Sequence, residues 1–241
     1  LYTKNLSLRI LDTGPATAVE NMSLDAKLLA ELDPQGSPLL HLYDWMRPSI
    51  TYGHFIDSQK LLNGDALARH KIDVARRPTG GGIVFHIWDF AFSFLMPAAH
   101  PLCSSNTLDN YRFVNEFVLE AAIEHFGLDQ APLLIAEAAP LHGPACAHFC
   151  MARPTVYDVV YQGRKIAGAA QRRTQRGYLH QGTISLAAPN YDLLREVLRS
   201  DAAVVEAMGT FSFVPAQPMP LPQSRAQIAA LLQTKFLAKI R

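Results

Sequence analysis

The run Ala75-Arg76-Arg77-Pro78-Thr79-Gly80-Gly81-Gly82-Ile83-Val84-Phe85-His86 constrains this chain more than any other stretch. Ile72 to Arg76 and Ile83 to Phe85 are strand-like, so the glycine triplet is expected as a loop between paired strands. A phosphate loop of the nucleotide-hydrolase type needs Gly-Lys-Ser/Thr ahead of a helix, and a dinucleotide fold needs Gly-x-Gly-x-x-Gly in the same setting. Neither pattern is present. Glycine has no Cβ and tolerates φ > 0, so such a loop brings bare backbone close to a ligand and leaves its N–H groups to converge on an acyl or phosphate oxygen. Arg76 and Arg77 can supply charge for an anion. The other reading is a tight turn with no ligand.

The rest of the chain mixes strands and helices without a βαβ rhythm. Leu6 to Asp12 alternates as a strand and Ala16 to Leu32 carries a helical period. Leu39 to Trp45 and Ser49 to Tyr52 read as short strands, Gln59 to His70 as a helix and Phe90 to Met96 as a further strand. Asn110 to Phe126 is an amphipathic helix with Gly127 as its stop. Ala131 to Cys150, rich in Ala, Pro and His, has no period and reads as a loop. Tyr157 to Tyr161 and Lys165 to Ala170 form a hairpin across Gln162-Gly163, and Leu179 to Leu186 is another strand. Leu193 to Glu206 reads as a helix, Pro215 to Pro222 as a proline-broken connector and Arg225 to Lys239 as a final helix. This pattern is α+β, with mixed β-sheets flanked by helices. Residues 1–241 are expected to form a single catalytic domain, with 215–241 its connector and C-terminal helix.

Lys+Arg 22 against Asp+Glu 21 leaves no basic field for bulk nucleic-acid binding, so partners are sought in pockets. No apolar run approaches the roughly 20 residues of a membrane helix, and Leu1 to Leu11 lacks a signal-peptide pattern. The expectation is a cytoplasmic protein with no nucleic acid and no membrane as partner. The first residue is Leu, which leaves room for a native start upstream. Cys103, Cys146 and Cys150 are odd in number and lack zinc-ribbon spacing, so neither a disulfide framework nor a structural metal is expected.

Three further segments carry chemistry beyond packing. In Tyr157-Asp158-Val159-Val160-Tyr161-Gln162-Gly163-Arg164-Lys165-Ile166-Ala167-Gly168, a lysine amid apolar strand residues either points its ammonium into a site or faces solvent. In Ala169-Ala170-Gln171-Arg172-Arg173 and Leu179-His180-Gln181-Gly182-Thr183, the arginines and His180 either position an anion or bond structurally. Cys150, four residues before Pro154, is either inert or a thiolate nucleophile activated by a nearby cation.

Taken in order and spacing, Arg76 to His86, Gly163 to Arg173 and Leu179 to Thr183 resemble the biotin/lipoate protein ligase catalytic domain, in the branch of lipoate-protein ligase A and the cysteine-dependent octanoyltransferases. Asn21-Met22-Ser23-Leu24-Asp25 resembles that family's first helix, and Tyr43-Asp44-Trp45 with Pro48 to Gly53 its paired second and third strands. The resemblance covers nearly the whole chain. It implies transfer of an octanoyl or lipoyl group to a specific lysine of a lipoyl carrier protein, the glycine-cleavage H protein or an E2 lipoyl domain. It also implies that Cys150 and Lys165 are catalytic, and that Arg76, Arg77, Gly80, Gly81, Gly82, His86, Gly168, Ala169, His180 and Gly182 contact substrate. An eight-carbon chain offers about 0.8 kcal/mol for each buried CH₂, so an apolar tunnel is expected.

Within the branch, a ligase activates lipoate with ATP and Mg²⁺, whereas a transferase takes its acyl group from acyl carrier protein through a cysteine thioester and needs no cofactor. Cys150-Met151-Ala152-Arg153-Pro154-Thr155-Val156-Tyr157-Asp158 resembles the transferase segment, with Cys150 at the nucleophile's position. The ligase pattern places Asp directly after the histidine, but here the order is His86-Ile87-Trp88-Asp89. The expectation is an octanoyltransferase in which Lys165 favours the Cys150 thiolate. A lipoyl-AMP-forming ligase is the alternative, and a homologue that binds a carrier domain without catalysis is the third reading. The Gly-Arg-Gly-Arg loop of biotin ligases is missing.

Overall fold

The computed structural model describes residues 7–128, 133–138, 144–199, 202–216 and 219–240. Two mixed sheets and seven helices among those residues make an α+β fold. The first strand, β1 (Arg9–Ala16), is followed by helix α1 (Ala18–Ala30), whose start is fixed by a capping box: the Thr17 hydroxyl accepts from Glu20 N, and the Glu20 carboxylate accepts from Thr17 N. The chain then returns as β2 (Leu39–Trp45), which pairs with β1 in parallel. A parallel strand–helix–strand crossover of this kind is the βαβ unit that the sequence pattern did not announce. The strand expected over Leu6 to Asp12 begins later, at Arg9, and Leu6 lies outside the described residues.

The large sheet has the order β1-β2-β6-β10-β9-β8-β7, with β6 (Asp89–Pro97), β7 (Leu133–Leu134), β8 (Val159–Tyr161), β9 (Arg164–Thr174) and β10 (Gly177–Ser185). Every residue of β6 is buried, because period-two alternation gives both of its faces a cover. Phe90, Phe92, Phe94 and Met96 pack against helices α4 (Thr107–Phe126) and α7 (Leu221–Lys239) with Phe117, Ile228, Leu232 and Phe236. Ala91 and Leu95 face the other way, toward Met22 and Leu29 of α1. Gly127 closes α4 at φ 58°, in the left-handed conformation that a C-terminal glycine supplies.

The small sheet has the order β4-β3-β5, with β3 (Ser49–Tyr52), β4 (Asp73–Arg76) and β5 (Ile83–His86). The two strands flanking the glycine loop therefore do not pair with each other: β3 lies between them, parallel to β4 and antiparallel to β5. The loop must span a whole strand, so it is an open arch and not a tight hairpin.

Two expected helices are each divided. Gln59 to His70 becomes α2 (Ser58–Leu61) and α3 (Gly64–Arg69), because the Asn63 side chain caps Asp65 N and Ala66 N and starts a new helix there. Leu193 to Glu206 becomes α5 (Tyr191–Val197) and α6 (Ala202–Phe211), since Leu198 is extended and bridges to Leu62. The connector expected over Pro215 to Pro222 gives way at Leu221 to α7, with Pro222 in the first turn, where its missing N–H costs nothing. In the stretch expected as a loop, residues 131–132 and 139–143 lie outside the described residues. Leu133–Leu134 pairs with β8, and two 3-10 turns, Pro144–His148 and Cys150–Ala152, follow. The hairpin across Gln162-Gly163 is present, with both residues at positive φ as its turn requires.

Candidate active site

Alternation at the end of β4 separates two adjacent arginines. Arg76 points out to solvent, while Arg77 is only 5% exposed. A buried guanidinium must have its donors satisfied, and Arg77 Nη1 donates to Thr51 Oγ1 at 2.8 Å while Nη2 donates to the carbonyls of Gly80 (3.0 Å) and Gly82 (2.7 Å). Burial pulls its pKa below the ordinary arginine range, an effect opposed by the side chain of Cys150 nearby. The cation thus holds the arch from inside and faces the sulfur.

The glycines of the arch have separate duties. Gly81 adopts φ +83°, and a Cβ there would stand 3.3 Å from Arg77 Nη2 and 3.5 Å from Cys150 Sγ. At Gly82 a Cβ would meet His148 O at 2.3 Å, so this glycine admits the backbone of the following loop. Gly80 has open space around it. The sequence reading missed a fourth: Gly53, where a Cβ would lie 1.9 Å from Gly81 O. It donates to Gly82 O at 3.2 Å and seats the arch on the end of β3.

Phe149 fixes the next segment. It is buried with Ile50, Ile83, Val204 and Met208, and its backbone bridges Ile83 in parallel. Its successor, Cys150, is thereby set over the arch, and Gly82 N–H donates to Cys150 Sγ at 3.2 Å.

The opposite wall comes from the β8–β9 hairpin. Lys165 is 3% exposed, its Nζ 2.7 Å from Asp158 Oδ2, and it donates to the Cys150 carbonyl at 2.9 Å. The Asp158 carboxylate also accepts from Thr155 N (2.6 Å) and Thr155 Oγ1 (2.9 Å). At Gly168 a Cβ would lie 2.4 Å from Lys165 Nζ, so glycine there makes room for the ammonium. Lys165 thus holds the carbonyl of Cys150, while Arg77 faces the sulfur from the arch. An ammonium carries three N–H bonds, and two are committed to Asp158 and Cys150 O, which leaves one for a ligand.

Behind the arch runs a hydrogen-bond chain: Arg77 Nη1 donates to Thr51 Oγ1, Thr51 Oγ1 and His86 Nε2 share a bond of 2.8 Å, and His86 Nδ1 donates to Asp89 Oδ2 at 2.7 Å. The His86 ring is stacked 4.3 Å from the Trp45 ring. Thr183 Oγ1 donates to the same Asp89 oxygen. The displaced Asp89, two positions beyond the ligase pattern, still reaches the histidine. Arg225 of α7 tethers this turn, donating from Nε to Asp89 O at 2.9 Å and pairing with Asp44 at 3.1 Å. A second network runs from the arch to α1: Thr79 donates to Gln181 Oε1 (2.6 Å), Gln181 Nε2 donates to Asp25 Oδ2 (2.6 Å), and Asp25 Oδ1 accepts from His41 Nδ1 (2.8 Å).

Arg77, Gly81, Gly82, His86, Cys150, Lys165, Gly168, Ala169 and Gly182 all line one cavity of about 230 Å³, whose wall is mostly apolar. Arg76, Gly80 and His180 do not line it. His180 lies on the far face of β10, its ring near Phe92 and Tyr111, and Gln171 Nε2 donates to its Nδ1 at 2.8 Å. Burial pushes its pKa down to about 3, which suits a neutral structural ring and not a proton carrier at neutral pH. Asp158, Thr155, Gly53, Gln181 and Thr183 were not singled out from the sequence. Asp158 alone had a signal, a carboxylate in an apolar strand facing a lysine across a hairpin.

The sequence profile described as the lipoyl protein ligase A/B catalytic domain matches residues 17–223. Octanoyltransferase LipM of Geobacillus kaustophilus is 34% identical over 197 residues, which is 80% of this chain and 68% of that protein. Octanoyltransferase LipM of Bacillus subtilis is 31% identical over 182 residues, 74% of this chain and 65% of that protein. The matches thus span about two thirds of those relatives' length. Among solved structures, a bi-partite lipoate protein ligase from Thermoplasma acidophilum aligns with TM-score 0.69 at 21% identity, covering 95% of this chain and 84% of that one. Lipoate-protein ligase A bound with ATP aligns with TM-score 0.67 at 21% identity, covering 96% and 85%. At such identities the likeness is one of fold.

Proposed function

The chain belongs to the lipoyl protein ligase A/B catalytic-domain family, enzymes of protein lipoylation, and on that premise we propose that it is an octanoyltransferase working through a thioester on Cys150. One observation carries this reading: the Cys150 sulfur lies in the cavity with a backbone N–H at 3.2 Å and a buried guanidinium facing it. A cation and a fixed N–H donor beside a sulfur are the setting in which a cysteine serves as a nucleophile.

In the first half-reaction the Cys150 thiolate attacks the carbonyl of an octanoyl thioester on acyl carrier protein. The Sγ–C bond forms, the donor's C–S bond breaks, and the donor leaves as a thiolate that takes a proton from solvent. In the second, the neutral ε-amine of a lysine on a lipoyl carrier domain attacks the Cys150 thioester. The C–N bond forms, the C–Sγ bond breaks, and the amine's proton is released as the Cys150 thiolate returns. Each carbonyl passes through an oxyanion, and the uncommitted N–H of Lys165 is the donor at hand. The apolar wall takes the alkyl chain. Arg77, His86 and Gly168 serve to hold the arch and the ammonium in place. The acceptor is a lipoyl domain of the E2 or glycine-cleavage H type, and this reaction uses no cofactor.

Mass spectrometry after mixing with octanoyl-acyl carrier protein tests the reading. The expected result is an octanoyl adduct on Cys150 that is lost in Cys150→Ala and discharged by a lipoyl domain. No adduct, together with lipoyl-AMP formed from lipoate, ATP and Mg²⁺, would replace it with the ligase reading. Tight binding of a lipoyl domain with neither reaction would mark a non-catalytic homologue.

A further inference from the structure

A second cavity, of about 440 Å³, lies on the outer side of the glycine arch and shares Met22 and Arg77 with the acyl cavity. Its wall carries Arg76, Arg77, Arg172 and His54 and no Asp or Glu. In a chain with 22 basic and 21 acidic residues, a groove with three arginines and no carboxylate is a strong local bias. Neighbouring acids are engaged elsewhere: Asp73 pairs with Arg47 at 3.6 Å, and Glu20 closes the capping box of α1. Arg76 is exposed and makes no side-chain hydrogen bond or ion pair among the described residues. Arg172, exposed as well, donates to Pro78 O at 3.2 Å and has no carboxylate partner among them. Val19, 60% exposed, supplies apolar surface beside the guanidinium groups.

Two unpaired guanidinium groups on a groove that abuts a thioester-forming cavity match a particular chemistry. Guanidinium groups bind phosphate oxygens through paired N–H donors, and the apolar surface between them accommodates the neutral part of a long ligand. We propose that this groove binds the phosphate-bearing pantetheine arm on which an acyl-thioester donor presents its acyl group, with Arg76 and Arg172 on the phosphate and the arm passing Met22 and Arg77 toward Cys150. This rests on the transferase reading. The same phosphate-ester arm occurs on a carrier protein and on coenzyme A.

The test compares Cys150 acylation by octanoyl-acyl carrier protein, octanoyl-coenzyme A and phosphate-free octanoyl-pantetheine in the wild-type chain and in R76Q/R172Q. Loss of charge-assisted bonds predicts that the kcat/KM preference for phosphate-bearing over phosphate-free donors falls about ten- to a hundredfold, with both phosphate-bearing donors affected. An unchanged preference overturns the proposal, as does an equal fall for all three donors, which would mark a structural effect. A fall confined to the carrier protein also overturns it, because the groove would then read a protein face. So does a raised KM for the lipoyl acceptor with donor preference intact. Where the wild-type chain forms the adduct and only the preference test fails, the groove is wrong and the transferase reading stands. Where no donor acylates the wild-type chain, both fall.

Discussion

The two walls of the acyl cavity solve one problem in opposite ways. The arch wall carries Arg77, whose donors are taken by Thr51 and by the arch's own carbonyls, so the cation shapes the backbone and faces the Cys150 sulfur. The hairpin wall carries Lys165, paired with Asp158 and bonded to the Cys150 carbonyl. Glycine serves both walls, but at Gly82 it admits a backbone and at Gly168 a side chain. A charge bonded into its own loop is a structural part; a charge balanced by a carboxylate with a donor to spare is a reagent. On the transferase reading, the arch serves the sulfur and the hairpin serves the oxyanion.

The largest break should come from Lys165→Met. Removing one oxyanion donor lowers the rate of thioester formation about 10²–10³-fold, and orphaning a buried Asp158 destabilises the fold by about 3–5 kcal/mol, read from urea midpoints. Adding Asp158→Asn should restore much of the stability and none of the rate. Recovery of both would make the lysine purely structural. Gly168→Ala should slow acylation about ten- to a hundredfold while leaving the thiol's alkylation rate near wild type, because its Cβ displaces the ammonium and the Asp158 carboxylate that holds it, both of which it meets closer than any atom of Cys150. Arg77→Lys keeps the charge and loses the forked bonds. A fall of about tenfold in the rate of Cys150 acylation is expected, equivalent to about 1.4 kcal/mol, and an unchanged rate would take the sulfur away from the arch.

Behind the hairpin wall, on the other face of β10, His180 bears on stability alone and leaves acylation untouched. Its folded pKa of about 3 lies below the ordinary 6.5, so the unfolded chain takes up a proton that the fold refuses. The neutral ring's contribution is complete above pH 6.5 and is lost as pH falls toward 3, at up to about 1.4 kcal/mol per pH unit. Melting curves of His180→Leu across that range should be flatter than wild type by this slope. Smallest of all is Gly80→Ala. With open space around it and no positive φ, it should leave acylation within about twofold and stabilise by about 0.4–1 kcal/mol through the unfolded state.

Much of this was legible in the sequence, and the gaps have a common physical cause. Period-two alternation tells that neighbours in a strand face opposite ways, but not which way. Arg76 and Arg77, or His180 and Gln181, cannot be sorted without knowing which side of the strand is covered. The arginine-glycine run, Cys150, Lys165 and the Gln162-Gly163 turn were readable because each rests on local chemistry. Ser49 to Tyr52 was readable as a strand, but its place between β4 and β5 was not, since pairing across an intervening strand leaves no mark in either neighbour. Gly53 and Asp158 act through partners 28 and 7 positions away, Gly81 and Lys165, and only the fold brings them together. The break between α5 and α6 was hidden because an extended Leu198 keeps the apolar period of the helices beside it.

The tether from Arg225 to the turn after His86 has a consequence for how the protein is born. Donor and acceptor are 136 positions apart, and the ribosome makes the acceptor first. At about 5–20 residues per second the turn waits roughly 7–27 s for its clasp. Until α7 emerges, the histidine and its carboxylate lack that restraint, so the last long helix acts as a timer that finishes the acyl site only when most of the described chain has been made.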